Sequence, residues 1–169
     1  MAIIDNSTNL QTGLMSARDA VFGSAAKCYV TIEGRRYNFA HCIKLEAKAE
    51  KTKTEVPILG SMSKGNKATG MKYSGSMTMH YNTSIMRELM EKYALFGIDT
   101  YFDIQVISED RTASIGKQVT TLKDCNFDSV IIAKFDADAG DYLDEDVDFT
   151  FESWTLDEKF ETLTVLDMV

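Results

Sequence analysis

Histidine occurs twice in this 169-residue chain, tryptophan and proline once each, and cysteine three times. Each scarcity removes a class of explanation. His41 and His80 leave a thin acid–base repertoire, and no Ser/His/Asp or Cys/His arrangement can be built around them. His41 adjoins Cys42, but neighbours on a strand point to opposite faces and do not readily share one metal. Cys28, Cys42 and Cys125 are odd in number, widely spaced and form no CxxC pair. We read them as core or half-buried thiols in a reducing cytosol. No run approaches the roughly 18 apolar residues of a membrane span. The apolar start at residues 1–4 meets Asp5 too early for a signal peptide. Positive charge is also short: the net of −8 argues against a general nucleic-acid binder, which needs clustered Lys and Arg. With 44% hydrophobic residues, and neither an internal repeat nor a linker, residues 1–169 are expected to form one domain.

What the chain does have is alternation. Over residues 43–49 the odd positions are apolar (Ile43, Leu45, Ala47, Ala49) and the even ones charged (Lys44, Glu46, Lys48), with Glu50 next. Over 71–81 Met71, Tyr73, Gly75, Met77, Met79 and Tyr81 alternate with Lys72, Ser74, Ser76, Thr78 and His80. This period of two predicts two strands, each with a dry and a wet face. Between them, residues 51–70 lack strict alternation and are too long for a tight turn, which marks a functional or disordered loop. The only proline, Pro57, falls there, where no ladder N–H need be lost.

Elsewhere, residues 27–33 and 35–40 flank Gly34 and read as a hairpin. Asn82, Thr83 and Ser84 offer an N-cap to a helix on which Ile85, Met86, Leu89, Met90, Tyr93 and Phe96 recur at helical spacing, and Gly97 supplies its stop. Strands are then predicted from Phe102 through Val106, over 118–122, over 125–135 and over 146–152, with Val147, Phe149 and Phe151 on one face. Trp154 opens a tail with a second short apolar set. Residues 1–24 are small and polar and read as an arm that orders against a neighbour. The predicted fold is mainly β: a barrel or sandwich, one flanking helix and a long projecting hairpin arm over 50–72.

Two motifs fail as chemistry. Residues 60–65, GSMSKG, resemble the start of a phosphate-binding loop, but Asn66 and Lys67 stand where Lys and Ser/Thr are required, and the segment lies between strands. Asp136, Asp138, Asp141, Asp144, Glu145, Asp146 and Asp148 suggest calcium. A loop begun at Asp136 nevertheless has Asp141 in place of its glycine and Val147 in place of its closing glutamate. We read this set as a solvated or pore-facing acidic surface. Charge is unevenly spread: residues 136–169 carry twelve acids and one base, while 44–72 carry seven lysines and three glutamates. The basic arm and the acidic end are suited to attract one another, within or between chains.

Several runs also resemble a known family. These are EAKAEKTKTEVPILG (46–60), GNKATG (65–70), SGSMTMHYNTS (74–84), YFDIQV (101–106), LKDCNFD (122–128), AKFDADA (133–139) and LDEDVDFTFE (143–152). In unbroken order over about residues 16–160, they are similar to tail tube proteins of contractile phage tails and PBSX-like defective prophages. The resemblance implies six copies closing into a ring and rings stacking into a hollow tube. It also implies a hairpin arm reaching the neighbouring ring and no catalysis. The implied partners are further copies of the chain, a tail sheath protein, and tape-measure, baseplate and tail-terminator proteins, with DNA only as lumen cargo in a true phage. The implied location is a virion tail or a headless, phage-tail-like bacteriocin particle assembled in the bacterial cytoplasm, and sheath contraction would drive the tube through an envelope. No cofactor, metal or membrane anchor is expected.

The expected inter-subunit contacts are Val56, Pro57, Ile58, Leu59 and Gly60 for apolar packing, with Lys51, Lys53, Lys64 and Lys67 approaching a neighbour's acidic surface. A secreted ring of the type VI kind shares this architecture, and a small-molecule-binding β-barrel with the long loop as lid is the reading from a different class.

Overall fold

The first hairpin closes through two residues with positive φ, Glu33 (48°) and Gly34 (78°), which match the right-handed twist of the flanking strands. In the computed structural model, which describes residues 17–138, 140 and 142–161, this turn joins β1 (Ala26–Ile32) to β2 (Arg35–Asn38). β1 then pairs with β5 (Phe102–Glu109), β5 with β6 (Lys117–Phe127), and β6 on its other edge with β8 (Ser153–Glu158). A second layer consists of β3 (Cys42–Val56), β4 (Gly65–His80) and β7 (Asp144–Thr150). The layers are joined where the last residues of β6, Asn126 and Phe127, pair with Thr150 and Phe149. All pairings are antiparallel, in the order β2-β1-β5-β6-β7-β4-β3 with β8 on β6. The predicted mainly-β fold is found, as an open sandwich-like sheet and not a closed barrel.

The core lies between the layers. Val30, Ile32, Phe102, Ile104, Leu122 and Cys125 face Met77, Met79, Val147, Phe149 and Phe151, with Phe39 and Met86 filling in. Helix α1 (Ile85–Phe96) follows β4 and ends at Gly97, whose left-handed backbone lets its N–H reach the Tyr93 carbonyl at 2.8 Å. Ser84 makes no side-chain cap; Thr83 Oγ1 accepts from the Ile85 N–H instead. Only the first half of the helix packs, through Met86, Ile85 and Leu89. Tyr93 and Phe96, expected on the apolar face, are exposed.

Polar anchors position the helix against both layers. Arg87 donates to Glu145 on β7 at 2.6 Å and to the Thr83 carbonyl, and its guanidinium lies 4.0 Å over the Tyr81 ring. Lys92 reaches Glu33 in the first hairpin turn at 2.6 Å. Glu145 therefore leaves the acidic surface on which it was expected. Position alternates along β7, so Glu145 points inward with Val147 and Phe149 while Asp144, Asp146 and Asp148 point outward. Burial pushes its carboxyl above the ordinary range even with Arg87 opposing.

Other expectations shift in informative ways. The predicted strands 118–122 and 125–135 are one strand ending at Phe127. An irregularity opposite Phe102 and Ile104 carries the ladder past Asp124, where φ is 54° and the N–H bonds Asp103 Oδ1 at 3.1 Å. Beyond Phe127 the chain leaves the sheet, and Ile132 and Phe135 are exposed. The strand expected over 146–152 runs over Asp144–Thr150, and Phe151 stays in the core. Of the expected N-terminal arm, residues 1–16 lie outside the described residues. The rest makes short helical turns tied down by Asp19 to Ser114 and by the Phe22 N–H to Asp110. The tail after Glu161 and Asp141 of the acidic set also lie outside the described residues.

Gly75 shows how tightly the β4 layer is built. A Cβ placed there would lie 2.4 Å from Cζ of Phe149, its cross-strand partner, so the ring occupies the space of the missing side chain. Gly75→Ala should cost about 1–3 kcal/mol by overpacking, read as a lowered midpoint in chemical denaturation. Arg87→Met should cost about 3–5 kcal/mol by leaving Glu145 buried without a counter-charge. Adding Glu145→Gln to that variant should restore much of the loss, which a double-mutant cycle measures.

Candidate functional site: the projecting arm

The outer halves of β3 and β4 leave the body as a two-stranded arm. The ladder between them continues to Val56↔Gly65, so the loop expected over 51–70 is paired strand for most of its length and only 57–64 forms the tip. The physical reason is that a ladder is held by backbone hydrogen bonds and requires alternation only where one face is buried. Thr52, Thr54 and Thr69 suit an extended backbone without any core beneath them. The pairing accommodates a bulge at Thr69, whose hydroxyl bonds the Thr52 carbonyl at 3.2 Å.

The dry face predicted for this hairpin extends only part of its length. Met79 and Met77 are buried and Tyr73 is half-buried, but Ala47, Ala49 and Met71 are exposed, because β7 reaches no further along β4 than Ser74. Beyond the pair Ala49↔Tyr73 the arm projects roughly 25 Å, at about 3.3 Å per residue. A second bulge at its root, between Cys42 and Lys44, turns Ile43 out to solvent and lets both Cys42 and Leu45 face the core.

At the tip, Gly60 (φ 80°) allows a turn closed by the Ser61 N–H to the Ile58 carbonyl at 3.2 Å. Ile58 lies over Gly65, with its Cδ1 3.2 Å from where a Cβ would sit. Leu59 and Met62 stand fully in solvent at 104% and 108% exposure, and Val56, Pro57 and Ile58 are exposed beside them. Met62 was not singled out in the sequence; its position between two serines and two glycines was its only signal.

The lysines divide between faces. Lys51 and Lys53 continue the face that carries Leu45, Ala47 and Ala49, whereas Lys67, opposite Thr54, shares the other face with Lys48 and Lys72. Lys64 is held by Glu55 at 3.0 Å, and Lys48 by Glu50 at 3.0 Å. Lys51, Lys53 and Lys67 have no ion pair among the described residues. The structure thus brings Val56, Pro57, Ile58, Leu59, Gly60 and Lys64 together at the tip and strings the other three lysines along the shaft.

The body below the arm has a hydrophilic outer face. Thr78 donates to Asp146 at 2.6 Å, His80 Nδ1 and Asp144 share a 2.7 Å hydrogen bond, and Thr150 donates to Asp128 at 3.4 Å. Residues 60–65, which resemble a phosphate-binding loop, cap a hairpin and precede a strand.

Comparison with known proteins fits this geometry. The family model described as phage tail tube protein matches residues 13–158. The chain belongs to the phage tail tube family. Its relatives include the phage-like element PBSX protein XkdM of Bacillus subtilis (strain 168). That protein is 36% identical over 145 residues, a match covering 86% of this chain and 95% of the relative. The fold resembles a chain of the anti-feeding prophage baseplate solved by cryo-electron microscopy, at a TM-score of 0.61 and 10% identity, covering 83% of this chain and 96% of that one. It also resembles a chain of the sheath–tube complex of the extracellular contractile injection system PVC in its extended state, at a TM-score of 0.57 and 8% identity, covering 90% and 97%. By its family, this tail tube subunit is a structural protein.

The root of the arm also makes the fold sensitive to pH. His41 packs tilted against Phe39 with ring centroids 4.6 Å apart, and its buried Nε2 has no hydrogen-bond partner among the described residues. Burial, then the nearby His80, hold its pKa below the ordinary 6.5. The unfolded chain therefore takes up a proton first as pH falls through 6.5, and stability present above that value is lost below it. Denaturation midpoints should drop as pH falls below about 6.5, and His41→Phe should flatten that part of the profile.

Proposed function

We propose that this chain builds the inner tube of a contractile tail or phage-tail-like particle, with six copies closing a ring, rings stacking, and each arm gripping a copy in the next ring. The observation that carries this reading is an arm projecting roughly 25 Å from its body, at about 3.3 Å per residue, with its largest apolar side chains at the far end. Exposed Leu59 and Met62 are costly on a lone monomer and useful only when covered. Val56, Pro57, Ile58, Leu59 and Gly60 would pack against the neighbouring copy. Lys51, Lys53, Lys64 and Lys67 would approach its acidic surface, for which Asp144, Asp146 and Asp148 supply outward carboxylates.

The open sheet supports the ring. Strand edges left free in one copy are a hazard in solution and become contacts when copies close on one another. The tube would run inside a sheath protein, around a tape-measure protein and between baseplate and terminator proteins, after assembly in the bacterial cytoplasm. It would act without catalysis, and DNA would be its cargo only in a true phage.

Electron microscopy of the purified chain tests this directly. Long hollow tubes are expected from the full chain. A variant lacking residues 52–68 should fold, by an unchanged far-ultraviolet spectrum of its body, and yet form no tubes. Tubes of ordinary length from that variant would sink the role of the arm, and featureless monomers of the full chain under all conditions would favour the small-molecule module. Assembly should also weaken as salt rises from about 0.05 to 0.5 M, because screening shortens the reach of the lysines.

A further inference from the structure

Two of the three cysteines meet. Cys28 on β1 and Cys42 at the start of β3 are bridged through Phe39, whose N–H bonds the Cys28 carbonyl at 2.9 Å and whose carbonyl accepts from the Cys42 N–H at 3.0 Å. Their side chains open into one groove, where the Cys42 thiol donates to the Lys44 carbonyl at 3.4 Å. Both line a groove of about 760 Å³ between Gly23, Ala26, Phe39 and Lys44, and both are half-buried. Cys125 is fully buried in the core and lines no part of that groove. The sequence reading placed all three as core or half-buried thiols, since only the pairing of Cys28 with Phe39 and the turn from Phe39 to Cys42 bring residues 28 and 42 together.

We propose that Cys28 and Cys42 form an oxidisable dithiol that a hydroperoxide converts into an intrachain disulfide, stapling β1 to the root of the arm. The chemistry follows from the contact. Cys42 is the nucleophile: interaction with the Cys28 thiol draws its pKa down, while the same interaction and burial push that of Cys28 up. The Cys42 thiolate attacks one peroxide oxygen, the O–O bond breaks, and the leaving hydroxide takes a proton to become water. The resulting sulfenic acid is attacked by the Cys28 sulfur, an S–S bond forms, and a second water leaves with the Cys28 proton. Two thiols are oxidised by two electrons and the peroxide is reduced to two waters. The bridge would close beside the bulge at Ile43, where the arm leaves the body. This inference does not depend on the tube reading.

Peptide mapping of the full chain after treatment with hydrogen peroxide and alkylation tests it. The expected product has lost two hydrogens, carries a Cys28–Cys42 cross-link, and keeps Cys125 as a free thiol alkylated only after unfolding. Cys125→Ala should form the same bridge, and Cys28→Ser should instead accumulate a sulfenic acid at Cys42 that dimedone traps. Sulfinic acid at either residue without a bridge, a bridge to Cys125, or cross-links only between chains would each overturn the proposal, and none of these readouts requires the variants to assemble.

Discussion

The packing of Phe149 over Gly75 is the contact on which the rest of the fold depends. It sets the β4–β7 register, and through that register it decides which residues of β7 point inward and where the core stops. Inward of this contact, β4 has a neighbour on both edges and its methionines are buried. Outward, it keeps only β3, and the same two strands become an arm exposed on both faces. One pair of strands thus serves as layer of the sandwich and as projecting hook, and the boundary between these roles is the reach of β7.

The anchors of the helix follow from the same alternation. Because Val147 and Phe149 face the core, Glu145 must as well, and an inward carboxylate is tolerable only with a partner. Arg87 supplies one from the first turn of α1, and Lys92 ties the helix to the other layer at Glu33. The second half of α1, with Tyr93 and Phe96, then has nothing among the described residues to cover it.

Much of this was legible in the chain of residues. The β1–β2 turn at Gly34, the helix stop at Gly97, and the inward set Val147, Phe149 and Phe151 were all predicted from local chemistry, because turn residues and short-period patterns act within a few positions. The tip residues Val56 through Gly60 were identified by the conspicuous presence of apolar side chains and the one proline in a lysine-rich stretch. The hairpin arm over 50–72 was predicted, but not how far its strands stay paired, because a ladder without a buried face leaves no alternation to read. The single strand β6 was read as two because a bulge at Asp124 interrupts the pattern without interrupting the pairing.

Local periodicity and composition determined that this protein is mainly β, with one helix, a basic arm and an acidic end. Tertiary structure decided where the arm begins, which acid is buried, and which two of three cysteines share a groove. Each of those depends on the register between strands distant in sequence, and register is set by how side chains pack across the sheet, as Phe149 does against Gly75.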